Sequence, residues 1–177
     1  MAAATPAAVI VTERYGAPAG TEGTIMNCNM GNVEGIDLTI SKTTAITAGE
    51  FSFEKWHRFK VTAFNDATDI GGFRVWASAA LSGADVHWTS AKEASLAATA
   101  YAQPVGGVTQ STVAGQTMPT SEPTLPNVSV GGDHDATLAT GGGANQYSDY
   151  MIMQIEVKAA TTTGKAITMN YQYDEYS

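Results

Sequence analysis

The chain has 177 residues, of which 44% are hydrophobic and 15% charged, against roughly 25% charged in an average soluble protein. That much apolar material supports a packed core and argues against wholesale disorder, and the length fits one domain with or without an extension. The net charge of −8 argues against non-specific nucleic-acid binding, which needs a surplus of Lys and Arg to face phosphates.

In chain order, residues 1–22 read as an N-terminal extension or arm, and residues 23–177 as a single domain. Within that domain the apolar residues recur every second position, the period of a strand with one buried face. Ile36, Leu38 and Ile40 alternate with Asp37 and Thr39, and Phe51 and Phe53 with Ser52 and Glu54. Phe59, Val61 and Ala63 alternate with Lys60 and Thr62, Phe73 and Val75 with Arg74 and Trp76, and Val86 and Trp88 with His87. Turn-forming stretches separate these runs: Thr47-Ala48-Gly49, Asn65-Asp66, Gly71-Gly72 and Ser82-Gly83-Ala84-Asp85. Lys55, Arg58 and Lys60 sit together and read as a solvated edge, or else as a contact to an acidic neighbouring subunit.

Ser90 to Ala100 holds good helix formers behind an N-capping Ser90, although its mostly alanine apolar positions suit a strand or loop nearly as well. Residues 103–146 carry four prolines and the triplet Gly141-Gly142-Gly143, with few large apolar groups. They read as a long extended loop or arm inserted before the C-terminal strands, with a hidden strand such as Asn127–Val130. Beyond them, Met151, Met153, Ile155 and Val157 share one face, and Ile167, Met169, Tyr171 and Tyr173 share another. The Gly-containing stretch between the two runs predicts an antiparallel hairpin. Six or more short strands at this spacing predict an all-β antiparallel β-sandwich, immunoglobulin-like or jelly-roll-like.

Residues able to carry chemistry are sparse. The single cysteine, Cys28, rules out an intrachain disulfide and a cysteine-based zinc site. Asp133, His134 and Asp135 form the nearest approach to a metal-ligand cluster, but they lack the spacing of a calcium loop and equally suit a polar turn. His57, His87 and His134 each offer a general base without a partner at a recognisable spacing, and His57 and His87 are expected on a sheet surface or interface. Asp174 and Glu175 are adjacent in a strand and so face opposite ways, unlike the paired carboxylates of glycoside hydrolysis. No catalytic residue, cofactor site or enzymatic activity is expected. Trp56, Trp76, Trp88, Tyr101, Tyr147 and Tyr150 are the candidate interface anchors, or alternatively a sugar-stacking platform. No apolar run is long enough for a membrane span, and the start Met1-Ala-Ala-Ala-Thr-Pro6 lacks the charge and apolar stretch of a signal peptide.

Several segments resemble small β-rich virion structural proteins of tailed phages. They are Ala45–Trp56, Tyr101–Pro104, Pro119–Asn127, Tyr147–Val157 and the ending Ile167–Glu175, with its Tyr-x-Tyr-Asp-Glu tail. The resemblance spans roughly residues 27–177 and transfers no catalytic residues. It implies a role on the particle, foremost as a capsid decoration (cement) protein and otherwise as a neck or tail component. The implied partners are the major capsid protein or other virion proteins and further copies of the chain, with no direct contact to nucleic acid or membrane. The implied location is a virion assembled in the host cytoplasm. A host-surface or glycan-binding module is the competing expectation.

Overall fold

A computed structural model describes residues 4–16, 20–31, 33–37, 46–91, 116–158 and 167–177. Its elements are nine strands and a 3-10 turn at Thr140–Gly142. The strands are β1 (Ala8–Tyr15), β2 (Thr21–Thr24), β3 (Lys55–Ala63), β4 (Asp69–Ala77), β5 (Ala84–Ala91), β6 (Leu138–Ala139), β7 (Gln146–Tyr147), β8 (Tyr150–Val157) and β9 (Met169–Tyr176). A six-stranded sheet runs in the order β2-β1-β3-β8-β5, with β7 also paired to β3, and a three-stranded sheet runs β6-β4-β9. All the pairings are antiparallel. The expected all-β antiparallel sandwich is the observed one.

The core lies between the sheets, built from the inward residues of the alternating runs. Phe59 and Val61 of β3 and Met151 and Met153 of β8 meet Ile70, Phe73 and Val75 of β4, all at most 1% exposed. The rings of Phe59 and Phe73 sit 4.8 Å apart across the interlayer space. Central β8 is buried on both faces, because Tyr150, Ile152 and Gln154 on its other side are also covered. The Phe51–Phe53 run prolongs the line of β3 beside β8, through the Phe51–Glu156 bridge and the bond from Ser52 N–H to Ile155 C=O, 2.8 Å.

Four expectations need correction. Residues 1–22 are not an arm, since β1 and the first two residues of β2 lie within them and belong to the large sheet, where β1 pairs with both β2 and β3. The alternation of Val9 and Val11 is broken at the next inward position by Glu13, a buried carboxylate, which disguises the strand. The C-terminal pair is not a hairpin, since β8 pairs with β3 and β5 while β9 crosses to β4 in the opposite sheet. Period-two alternation identifies half-buried strands but not their partners.

The long stretch before β8 is, over its described part, a loop laid on its own sheet and not an arm reaching away from it. Pro119 C=O accepts from Ala77, Asn127 and Val128 both donate to Phe73 C=O, and the Asn127 side chain bonds both N–H and C=O of Val75 at 2.9 Å. Met118 and Val128 are buried beneath. These segments replace a strand along the far edge of β4. Ser90, the expected helix cap, lies in β5 opposite Met151, while residues 92–100 of the expected helix, Leu38 and Ile40 lie outside the described residues.

Candidate functional site

Two charged networks occupy opposite faces of the β1–β3 pair. On the inner face, β1 presents Glu13 and β3 presents Lys55 and His57, all at most 2% exposed. Glu13 and His57 are direct cross-strand partners. Lys55 Nζ lies 2.8 Å from Glu13 Oε1, and His57 Nε2 3.1 Å from Glu13 Oε2. Lys55 also donates to Gly35 C=O. The other imidazole nitrogen, Nδ1, is 2.8 Å from the Tyr171 hydroxyl, which β9 brings from the opposite sheet. Burial disfavours the charged imidazole, but the adjoining Cys28 sulfur and the Glu13 carboxylate outweigh that and raise its pKa to about 9. An imidazolium donates from both nitrogens, so His57 ties Glu13 to Tyr171 across the interlayer space. Burial, followed by interaction with Cys28 and with the Glu13 carboxylate, holds the Tyr171 phenol well above the usual range.

On the outer face, Arg58 grips Glu22 of β2 with two parallel bonds, Nε to Oε1 at 2.7 Å and Nη2 to Oε2 at 2.5 Å. Its guanidinium lies over the Tyr147 ring at 3.7 Å and near the Tyr150 ring at 4.7 Å. Thr12 donates to Glu22 at 2.5 Å, and Arg14 to the Tyr150 hydroxyl at 3.1 Å. Burial opposes ionisation of Glu22, yet Arg58, Thr12 and Arg14 together hold it below the usual carboxylate range. Burial also pushes Tyr150 up to about 12.

The basic cluster expected on a solvated edge is therefore split, with Lys55 pointing into the core, Arg58 outward onto Glu22, and only Lys60 half-exposed. His57 is likewise an interior group and not a sheet-surface one. Trp56, Trp88 and Tyr150, expected as interface anchors, are already covered within the chain. Trp56 donates to Glu54 at 2.7 Å and packs against Tyr150 with ring centroids 5.8 Å apart. Trp76 and Tyr147 are half-buried, while Tyr101 and the side chain of His87 lie outside the described part.

Asp133, His134 and Asp135 are exposed in a turn that Val130 and Asp133 close with reciprocal backbone bonds. Asp133 accepts the Asp135 N–H at 2.9 Å, the work of a turn residue. Among the described residues no group of three or more His, Cys, Asp and Glu is placed to hold a metal ion. The residue that organises this turn is Asp149, whose carboxylate accepts from Ser129 at 2.7 Å, Gly132 at 2.7 Å and Gly131 at 3.1 Å. As expected, Asp174 and Glu175 diverge, one toward Arg74 at 3.1 Å and the other to the N–H of Ala7 at 3.1 Å.

A cleft of about 270 Å³ opens at one end of the sandwich, between Ala4–Pro6, Asp66 and Glu175–Ser177, away from His57. Both networks are thus built to fasten strands and sheets to one another. Comparison with protein-family models, curated proteins and solved structures finds no match to this chain.

Proposed function

We propose that this chain is a non-enzymatic structural protein of a tailed-phage particle, a capsid decoration (cement) protein that binds and stabilises the shell through subunit contacts. The observation carrying this reading is where the scarce charge goes. Glu13, Lys55, His57, Arg58, Glu22 and Arg74 are all engaged in internal pairs, most of them buried. Among the described residues, most of the exposed ones are Thr, Ser, Ala, Gly and Asn, a composition suited to being covered by a neighbour. A sandwich cross-tied in this way resists deformation, as a cementing element under internal pressure must.

The described loops offer apolar contact points. Leu125 is 73% exposed on a turn flanked by Pro123 and Pro126, and Met26 is 89% exposed after β2. Two prolines stiffen the first loop, so less conformational freedom is lost on docking. The expected partners are the major capsid protein or other virion proteins, within a virion assembled in the host cytoplasm.

Electron microscopy of particles bearing the labelled chain tests this directly. Hundreds of copies on the head support decoration, a single ring of copies moves the chain to the neck or tail, and absence from particles overturns the reading. Leu125→Asp is expected to weaken shell binding without loss of folded structure.

A further inference from the structure

The edges of the two sheets are treated very differently. The outer edge of β5 is closed, because Trp88 donates to Gln116 C=O at 3.1 Å and Met118 to Val86 C=O at 2.7 Å. The far edge of β4 is closed by β6, Asn127–Val128 and Pro119. β2 spans four residues and β6 two. β9 is different, with eight residues paired to β4 on one side and, among the described residues, to nothing on the other.

Before its acidic end at Asp174-Glu175, β9 lacks the usual protections of a sheet edge. Its sequence, Met-Asn-Tyr-Gln-Tyr-Asp-Glu-Tyr, has no Lys, Arg, Pro or Gly, and the bulge in this sheet falls in β4, at Gly72-Phe73. The bond from Ser78 N–H to Thr168 C=O, with the register beyond it, turns the backbone groups of Asn170 and Gln172 toward β4. Those of Met169, Tyr171 and Tyr173 therefore face the open side. The inward side chains of this edge strand, Met169, Tyr171 and Tyr173, are half-buried and packed against the core, so partly exposed apolar surface runs along it.

We propose that two copies of this chain join through β9, antiparallel, about a two-fold axis at Gln172. The strand is complementary to itself in this arrangement and in charge. Asp174 falls opposite Asn170 of the second copy and Glu175 opposite Met169, so no carboxylates face each other. Tyr171 falls opposite Tyr173 of the second copy on the inward side, an aromatic cross-strand pair that extends this apolar surface. The outward backbone groups are those of odd-numbered residues in both copies, so Tyr171 and Tyr173 exchange main-chain hydrogen bonds and Gln172 meets its equivalent at the axis as a non-hydrogen-bonded pair. No basic residue in the strand invites an acidic partner instead. The inference rests on the assembly reading above only in that both make the chain a subunit, and its test uses the isolated chain without shells.

The full chain should run as a dimer in sedimentation equilibrium. Gln172→Lys, an outward substitution that places two ammonium groups at the axis, should shift it to monomer with an unchanged circular dichroism spectrum. In Gln172→Cys, oxidation should yield a covalent dimer linked through residue 172 by peptide mapping, since a non-hydrogen-bonded pair has the separation a disulfide needs, whereas Asn170→Cys should not cross-link to itself. A monomeric chain, or a dimer that Gln172→Lys leaves intact and Gln172→Cys does not link, overturns the proposal. Loss of shell binding by a chain that still dimerises would count against the decoration reading alone.

Discussion

Glu13 and His57 face each other directly across the β1–β3 pair, carboxylate to imidazole at 3.1 Å, with neither side chain more than 2% exposed. Lys55 reaches the other carboxylate oxygen, so one acid answers two cations inside the core. A buried set of this kind adds little net stability over apolar packing, but losing one member leaves the others uncompensated. Glu13→Ala should therefore cost about 3–5 kcal/mol in urea unfolding. The triple replacement Glu13→Leu, Lys55→Met, His57→Phe should recover most of that loss, and a triple variant as unstable as Glu13→Ala would refute the account.

The same group sets a pH dependence. His57 holds its proton more tightly when folded, with a pKa of about 9 against the ordinary 6.5, so folding takes up a proton between those values. The resulting stabilisation is complete below pH 6.5 and is lost as pH rises through about 9. The loss is on the order of 3 kcal/mol. Urea midpoints measured across that window should fall in the natural chain, and His57→Gln should flatten the profile.

Arg58 combines a two-pronged grip on Glu22 with stacking over Tyr147, and a lysine supplies neither. Arg58→Lys keeps the charge and should still destabilise by about 1–3 kcal/mol, read from thermal unfolding. A change confined to the high-salt sensitivity would show that the charge alone matters.

Gly72 occupies the bulge of β4 at φ 59°, where a side chain is strained and a Cβ would collide with the Asp174 carboxylate. That carboxylate is also the partner of Arg74. Gly72→Ala should lose roughly 1–3 kcal/mol in denaturant unfolding. The double variant Gly72→Ala, Asp174→Ala should regain part of it by removing the collision.

Asp149 gathers the Ser129 hydroxyl and the amides of Gly131 and Gly132. Asp149→Ala should speed hydrogen exchange at those two amides by at least about tenfold, since bonds to a charged acceptor are worth about 1.5–3 kcal/mol each. Exchange in central β8 should respond far less if the effect is local.

The layers of the fold were legible because Phe59, Val61, Phe73, Val75, Met151 and Met153 keep strict alternation, and alternation is what a half-buried strand imposes. β1 was hidden because Glu13 stands where an apolar residue belongs, and the site was hidden with it. An inward carboxylate is intelligible only once two cations from β3, more than forty residues away, are known to meet it. Asn127 lies in the expected hidden strand, but the role of its side chain is not legible, because its amide imitates a strand's backbone at Val75, and no local pattern distinguishes that from a loop asparagine. The partner of β9 is not legible in the sequence, because a turn-rich connection allows a hairpin without requiring one.

The union of β4 with β9 joins residues a hundred positions apart, as the Arg74–Asp174 contact shows. Bringing such distant segments together carries a chain-closure penalty before any of the contacts that reward it can form. Acquisition of the native state should accordingly be leisurely, on a scale of milliseconds to seconds, with one face of the hydrophobic interior uncovered meanwhile. Where many copies are synthesised side by side, that interval is when chaperone protection matters most.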